Sequence, residues 1–396
     1  MSGFFVFIVV ILALGAATGE SFVFTILYLL VGVMVIGRWW SSKSLASVAF
    51  QRRFNRRVFP KEEVQVHITI ENKGLLPLVW LRVCDLLPVE ISPQQAIQEV
   101  ITIGPRGRAE IQYQLVARKR GYYRVGPIKI STGDLLGMSQ DEREELTPQY
   151  LTVYPTVVPL SEIGLPSHSP LGSLRYQEPI YEDPTRQASK RDYMRGDSLR
   201  RIDWKASAAV GRLQVKQFEP SITLETAVFL NLNVDEYYYR RRHDATELAI
   251  VTAASIANWV ISKKQAAGLF TNGHDPLGID EAAQPLAPRK GRAQLMRLLE
   301  TLARLKTAQV MPLSRLLHDQ RPRLSWGTSV ILITGQAGDD LFDELIQAQR
   351  AGLDIVLILC GEIIGLQDIK QRAARFGIAV YTVWSEQDLE VWQKQP

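Results

Sequence analysis

The chain has 396 residues, 46% of them apolar and 22% charged, with a formal net charge of +5. That length holds two or three domains, the composition excludes a disordered or collagen-like chain, and so small a charge gives no reason to expect nucleic acid as a partner. The two cysteines, Cys84 and Cys360, lie far apart in apolar runs and exclude a disulfide framework.

The first 37 residues carry one charged side chain, Glu20, between two apolar runs, GFFVFIVVILALGAAT and FVFTILYLLVGVMVIG. Each run is a little shorter than the roughly 20 residues of a bilayer-crossing helix, and Trp39 and Trp40 follow where a headgroup belt would lie. Arg38, Lys43, Arg52, Arg53, Arg56, Arg57 and Lys61 come next, with no acid among them. The pattern predicts a transmembrane helical hairpin over residues 1–40 with Glu20 outside and both chain ends inside. The expected placement is therefore multi-pass in the inner (plasma) membrane, in contact with lipid through the hairpin, with most of the chain cytoplasmic. A cleaved signal peptide is the competing reading, because residues 13–17 are mostly small; no basic segment precedes the first run, however.

Residues 41–155 alternate as strands do. In VQVHITIEN, Val64, Val66, Ile68 and Ile70 point one way, and Gln65, His67, Thr69 and Glu71 the other. WLRV, VITI, AEIQYQLVA and YRVGPIKI repeat the pattern between turn signals, which predicts a β-sandwich of immunoglobulin or fibronectin-like type. Residues 156–222 read as a linking stretch, Pro- and Ser-rich and irregular up to residue 190, that goes on through the segment DYMRGDSLRRIDWKASA. There Asp197 or Ser198 is expected to cap a helix over LRRIDWKASA, with Leu199, Ile202 and Ala206 on one face and Arg200 beside Asp203. By composition the segment is either a joint tied by ion pairs or a surface for an acidic or peptide partner.

From residue 223 to 396 the rhythm changes. TAVFLNLNV, AAGLFTNG, SVILITG, LDIVLILC and IAVYTVW alternate with helical patterns over 246–264, 292–305, 341–352 and 366–377. Unbroken apolar strands between amphipathic helices predict a doubly wound α/β domain whose ligands sit at the carboxyl ends of the strands. Thr246 or Asp244 is the expected cap of its first helix. Asn231, Asn233 and Asp235 place an oxygen at every second position of one such end, with Thr334 at another. With one carboxylate in three they would hold Mg²⁺ only weakly, and no cofactor is expected. No phosphate loop, glycine triplet or metal-spaced histidine set is present, so the expected role is non-enzymatic. An enzyme acting on envelope precursors or lipids, the alternative, has only Asp197, Asp203 and Asp235 to offer.

Arg191-x-Tyr193-x-x-Gly196-Asp197-x-x-Arg200-x-Ile202-Asp203-Trp204-Lys205-x-Ser207-Ala208, followed by Gly211-Arg212-Leu213-x-Val215-Lys216-x-Phe218-Glu219, resembles the signature of bacterial domain-of-unknown-function family fifty-eight. The resemblance extends to the N-terminal hairpin, Arg120-Gly121-Tyr122-Tyr123, Gly126-Pro127 and Tyr154-Pro155-Thr156. It implies a C-terminal domain similar to von Willebrand factor A, and a binding surface made of Arg191, Tyr193, Gly196, Asp197, Arg200, Asp203, Trp204, Lys205 and Ser207. It also implies an adaptor that partners a MoxR-type AAA+ ATPase, often encoded alongside, in a chaperone-like or envelope-related system. Von Willebrand factor A domains commonly hold a metal with Asp-x-Ser-x-Ser. Here those positions read Asn231, Asn233 and Asp235, a degenerate version.

Overall fold

The computed structural model describes residues 9–13, 17, 21–92, 94–133, 140–145, 148–160, 182–194, 197–220 and 225–390. The chain divides into two compact units, Met1–Thr156 with Leu299–Leu305, and Val157–Leu298 with Lys306–Pro396.

The first unit holds α1 (Ser21–Ala46), an unbroken apolar helix of 26 residues. The earlier of the two expected spans lies largely outside the described residues, so a single N-terminal apolar helix stands here. Strands β1 (Val48–Arg53), β2 (Arg57–Val58), β3 (Glu63–Asn72), β4 (Leu78–Leu86), β5 (Ala96–Ile103), β6 (Arg108–Val116), β7 (Gly121–Val125), β8 (Ile128–Gly133), β9 (Gln140–Glu145) and β10 (Gln149–Val153) follow. They form sheets in the orders β1-β3-β6, β2-β10-β7 and β5-β4-β8-β9. In β3 the alternation of the sequence becomes alternation of burial: Val64, Val66, Ile68 and Ile70 are buried, while Gln65 and His67 face solvent. The buried four pack with Leu81, Val83, Ile111, Ile130 and the helix residue Leu45 in one core.

That core encloses a charge. Arg52 Nη1 donates to Asp85 Oδ1 at 2.6 Å, Nη2 donates to the Val125 carbonyl at 2.8 Å, and Nε donates to Gln149 Oε1 at 3.0 Å. The Tyr113 hydroxyl donates to the other Asp85 oxygen at 2.6 Å. Burial raises the Asp85 carboxyl above its ordinary value, and the Arg52 charge offsets part of that rise. Arg52, one of the basic residues that follow the apolar runs, is thus an interior cation. Beside this guanidinium YRVGPIKI is two strands rather than one, with Gly126 and Pro127 between them. The chain breaks at Gly126, whose φ is +99°, and a Cβ there would come within 2.9 Å of Arg52 Nη2.

From residue 182 the elements are β11 (Glu182–Asp192), α2 (Trp204–Val210), β12 (Gln214–Pro220), β13 (Glu225–Leu230), α3 (Arg242–Ser262), β14 (Ala266–Thr271), β15 (Leu286–Arg289), α4 (Arg292–Arg304), α5 (Leu313–Gln320), β16 (Ser329–Thr334), α6 (Asp339–Arg350), β17 (Asp354–Cys360), α7 (Leu366–Arg375), β18 (Ala379–Val383) and α8 (Glu386–Glu390). A six-stranded sheet runs in the order β15-β14-β13-β16-β17-β18, parallel except for the edge strand β15. Every residue of β13 from Thr226 to Leu230 is buried, which requires cover on both faces. Ala227, Phe229, Leu332 and Leu357 pack with residues of α5, α6 and α7. Val228 and Leu230 are left to α3, which runs along β13, β14, β16 and β17.

Two expectations are corrected. Residues 182–190, expected to be irregular, belong to a strand, β11, paired antiparallel to β12. Helix α3 starts at Arg242, ahead of Asp244 and Thr246, with Arg241 at the cap position and no side-chain cap bond.

Replacing Arg52 strands a buried carboxylate, which costs roughly 3–5 kcal/mol. Urea unfolding of Arg52→Ala should register that loss. Because the folded carboxyl would rise further, stability should also fall as pH increases through the carboxylate range, where the folded state holds the proton more tightly than the unfolded one.

Candidate functional site

The excursion between β11 and β12 carries most of the signature, and its three acids are all engaged. Arg191 grips Asp197 with both guanidinium nitrogens, Nη1 to Oδ2 at 2.8 Å and Nη2 to Oδ1 at 2.6 Å, and the Met194 amide donates to Oδ2 at 2.8 Å. Asp203, not Asp197 or Ser198, caps the helix. Its Oδ1 accepts from the Ala206 amide at 3.1 Å, while Oδ2 meets Lys190 Nζ at 2.9 Å. Asp192 accepts from Gln214 Nε2. Ser207 is buried and bridges the two halves, since its hydroxyl donates to the Asp203 carbonyl at 2.8 Å and accepts from the Gln214 amide at 2.8 Å. The Arg191 fork holds the Asp197 carboxyl below its ordinary range, and Lys190 does the same for Asp203.

The expected single helix is two pieces, a 3₁₀ turn over Leu199–Arg201 and then α2. The break turns Ile202 inward, where it bridges to Val215, and leaves Leu199 outside, so the two do not share a face. Trp204 and Lys205 point to solvent, and the Tyr193 amide donates to the Leu213 carbonyl at 2.9 Å. Gly196 and the Arg200 side chain lie outside the described residues. Met194, Leu199, Trp204, Val210 and Leu213 are each between 43% and 68% exposed, which is unusual for large apolar side chains on so short a stretch.

The second place is the carboxyl end of β13. Asn231 is fully buried; its Oδ1 accepts from the Asn233 amide at 3.0 Å and from Asn272 Nδ2 at 2.9 Å. Its Nδ2 donates to Glu236 Oε2 at 2.6 Å and to Thr334 Oγ1 at 2.9 Å. The Tyr237 hydroxyl donates to its carbonyl at 2.6 Å. Asn233 Oδ1 accepts from the Asp235 amide, and Asp235 itself is exposed. Burial lifts the Glu236 carboxyl above its ordinary value.

Asn231 and Asn233 therefore turn their oxygens onto amides and close the strand end. In this arrangement the set does not fit a hard divalent cation, which needs converging, uncommitted oxygens. Among the described residues no group of three or more His, Cys, Asp or Glu is placed to hold a metal. Sequence reasoning pointed to Asn231, Asn233, Asp235 and Thr334 and missed Glu236, Asn272 and Tyr237. Asn272 could have been found, because it leaves β14 at the place where Asn231 leaves β13.

Fold and site together define an α/β domain preceded by a β-hairpin excursion with an apolar outer surface. Residues 189–360, from the end of β11 to the end of β17, match the family described as protein of unknown function DUF58. It is 25% identical over 308 residues to the uncharacterized protein YeaD of Bacillus subtilis (strain 168), covering 76% of this chain and 72% of that protein. Among solved structures, it is similar to a CARDB domain from Pyrococcus furiosus (14% identity, TM-score 0.21, 27% of this chain and 91% of that one). Proximal thread matrix protein 1 from the mussel byssus is another (14% identity, TM-score 0.32, 43% of this chain and 45% of that one).

Asn231→Ala leaves several buried partners unsatisfied and should cost about 2–3 kcal/mol in chemical denaturation, and neither EDTA nor millimolar Mg²⁺ should move the wild-type Tm. At the excursion, the depressed Asp197 and Asp203 values give order that is complete above the carboxylate range and lost as pH falls through them. Amide protection factors at Ala206 and Ser207 should be flat from about pH 5 to 8 and drop in acid; Asp203→Ala should lower them at every pH.

Proposed function

We propose that the chain is a membrane-tethered docking protein that binds a protein partner through the excursion between β11 and β12. One observation carries this reading: Met194, Leu199, Trp204, Val210 and Leu213 are all exposed on one short excursion, while the acids beside them are taken up by cations, amides and Gln214. Grouped apolar side chains mark a binding surface, and an exposed tryptophan is the residue type that most often anchors one. Lys205, Arg201 and Arg212 are exposed on the same excursion, so a partner segment with an apolar core and acidic flanks suits it. A MoxR-type AAA+ ATPase, the partner implied by the family resemblance, is the first candidate.

Helix α1 runs unbroken into the core of the first unit through Leu45, which supports a retained anchor over a cleaved leader. The basic residues after it favour a cytoplasmic location for the bulk of the chain, with the first apolar run as a second span of a multi-pass inner-membrane protein. The sheets of the first unit suit an immunoglobulin or fibronectin-like spacer. The parallel sheet of the second suits a von Willebrand factor A-like body. No observation favours the enzyme alternative, since general acid–base catalysis calls for values near the working pH and Asp197 and Asp203 are held low.

Binding of the ATPase by the full chain in detergent tests the reading. Trp204→Ala with Leu199→Ala should weaken it by more than about tenfold, the scale of losing an aromatic anchor. Trp384→Ala, at a comparably exposed position, should leave it unchanged. Equal affinities across these variants would sink the proposal.

A further inference from the structure

The loop between β3 and β4, residues 73–77, is built as firmly as a core element yet exposes a leucine. Asn72, fully buried, holds it from inside: Nδ2 donates to the Leu76 carbonyl at 2.8 Å and the Gly104 carbonyl at 3.1 Å, and Oδ1 accepts from the Gly74 amide at 3.0 Å. The Lys73 amide donates to the Ser47 carbonyl at 3.0 Å, and the Arg106 amide to the Gly74 carbonyl at 3.1 Å. Leu75, at the tip, is nevertheless 70% exposed.

The loop is also fixed to the helix at a definite height. Trp40 Nε1 donates to the Pro77 carbonyl at 3.1 Å, and one residue further Ser41 Oγ donates to Asp141 Oδ2 at 2.6 Å. The apolar run of α1 ends at Gly37. Trp40 is three residues beyond it, about 4.5 Å of helical rise, inside a headgroup layer roughly 5–7 Å deep. Pro77 shares that depth, within about 7 Å of chain from Leu75, while Lys73 on the other side of the tip is tied to Ser47, where the helix ends. Lys73 beside the tip, Arg106 across from Gly74, and Trp39 and Lys43 next to Trp40 and Ser41 on the helix are all exposed. Exposed apolar, aromatic and cationic side chains near the exit of an apolar helix match the chemistry of an anionic lipid surface.

We propose that the β3–β4 loop is a second membrane contact, with Leu75 seated in the interfacial layer of the leaflet that α1 leaves and Lys43, Lys73 and Arg106 facing lipid phosphates. The proposal rests on the reading of α1 as a retained anchor. It gives the first unit a fixed attitude on the bilayer, because helix and loop are joined through Trp40.

The test uses the full chain in vesicles of phosphatidylcholine and phosphatidylglycerol, with a polarity-sensitive fluorophore on single cysteines and a quencher carried on the lipid. Cys84→Ser supplies the background, and the fully buried Cys360 stays. Val33→Cys reports on α1; Val89→Cys, exposed beyond the far end of β4, reports on water. Leu75→Cys is expected to be quenched several times more strongly than Val89→Cys, and Lys73→Glu with Arg106→Glu to reduce that difference. Quenching at Val33 with none at Leu75 above the Val89 level would overturn the proposal and leave the anchor standing. Absence of quenching at Val33 would overturn both.

Discussion

The excursion that carries the family signature depends on the bidentate grip of Arg191 on Asp197. The pair closes the turn after β11, and the cap from Asp203 to Ala206 starts α2 in the direction that sends the chain back as β12. Both carboxylates sit at a cation and a backbone amide, so the charge so abundant in this stretch is spent on shape. The apolar residues have no place beneath so thin a hairpin: Ile202 and Val215 fill what interior there is. The remaining large apolar groups are then forced outward. The proposed docking rests on these outward apolar side chains.

The α/β body follows a different constraint. At the end of a buried parallel strand, the backbone must be satisfied without water. Asn231, Asn233 and Asn272 do this with amide side chains, which both donate and accept. A carboxylate in place of Asn231 would bring a second buried negative charge beside Glu236. The asparagines that weaken a metal site thus make a self-contained strand end.

Much of this frame was legible in the sequence. The period-two pattern of β3 and the unbroken runs of β13, β16 and β17 report burial on one face and on two faces, respectively, and burial is what makes a pattern. Where elements are held by pairing rather than burial, the pattern is silent. β9 reads QDEREE, and β15 is four residues with a proline. The buried Arg52 was hidden for a related reason, because its partner Asp85 is 33 residues away and only the fold joins them. In the signature, the identity of the tied residues was visible but not which acid caps. Asp197 and Asp203 both precede helical sequence, and only the 3₁₀ break after Arg201 selects Asp203.

The central claim is that the outward apolar surface of the excursion is occupied in the cell. Hydroxyl-radical footprinting tests it most directly, by comparing native membranes with the purified chain in nanodiscs. Oxidation of Met194 and Trp204 should fall in the native membranes, while Trp326 and Trp384, exposed elsewhere, should oxidise equally in both. Equal oxidation of Met194 and Trp204 in the two preparations would contradict the account.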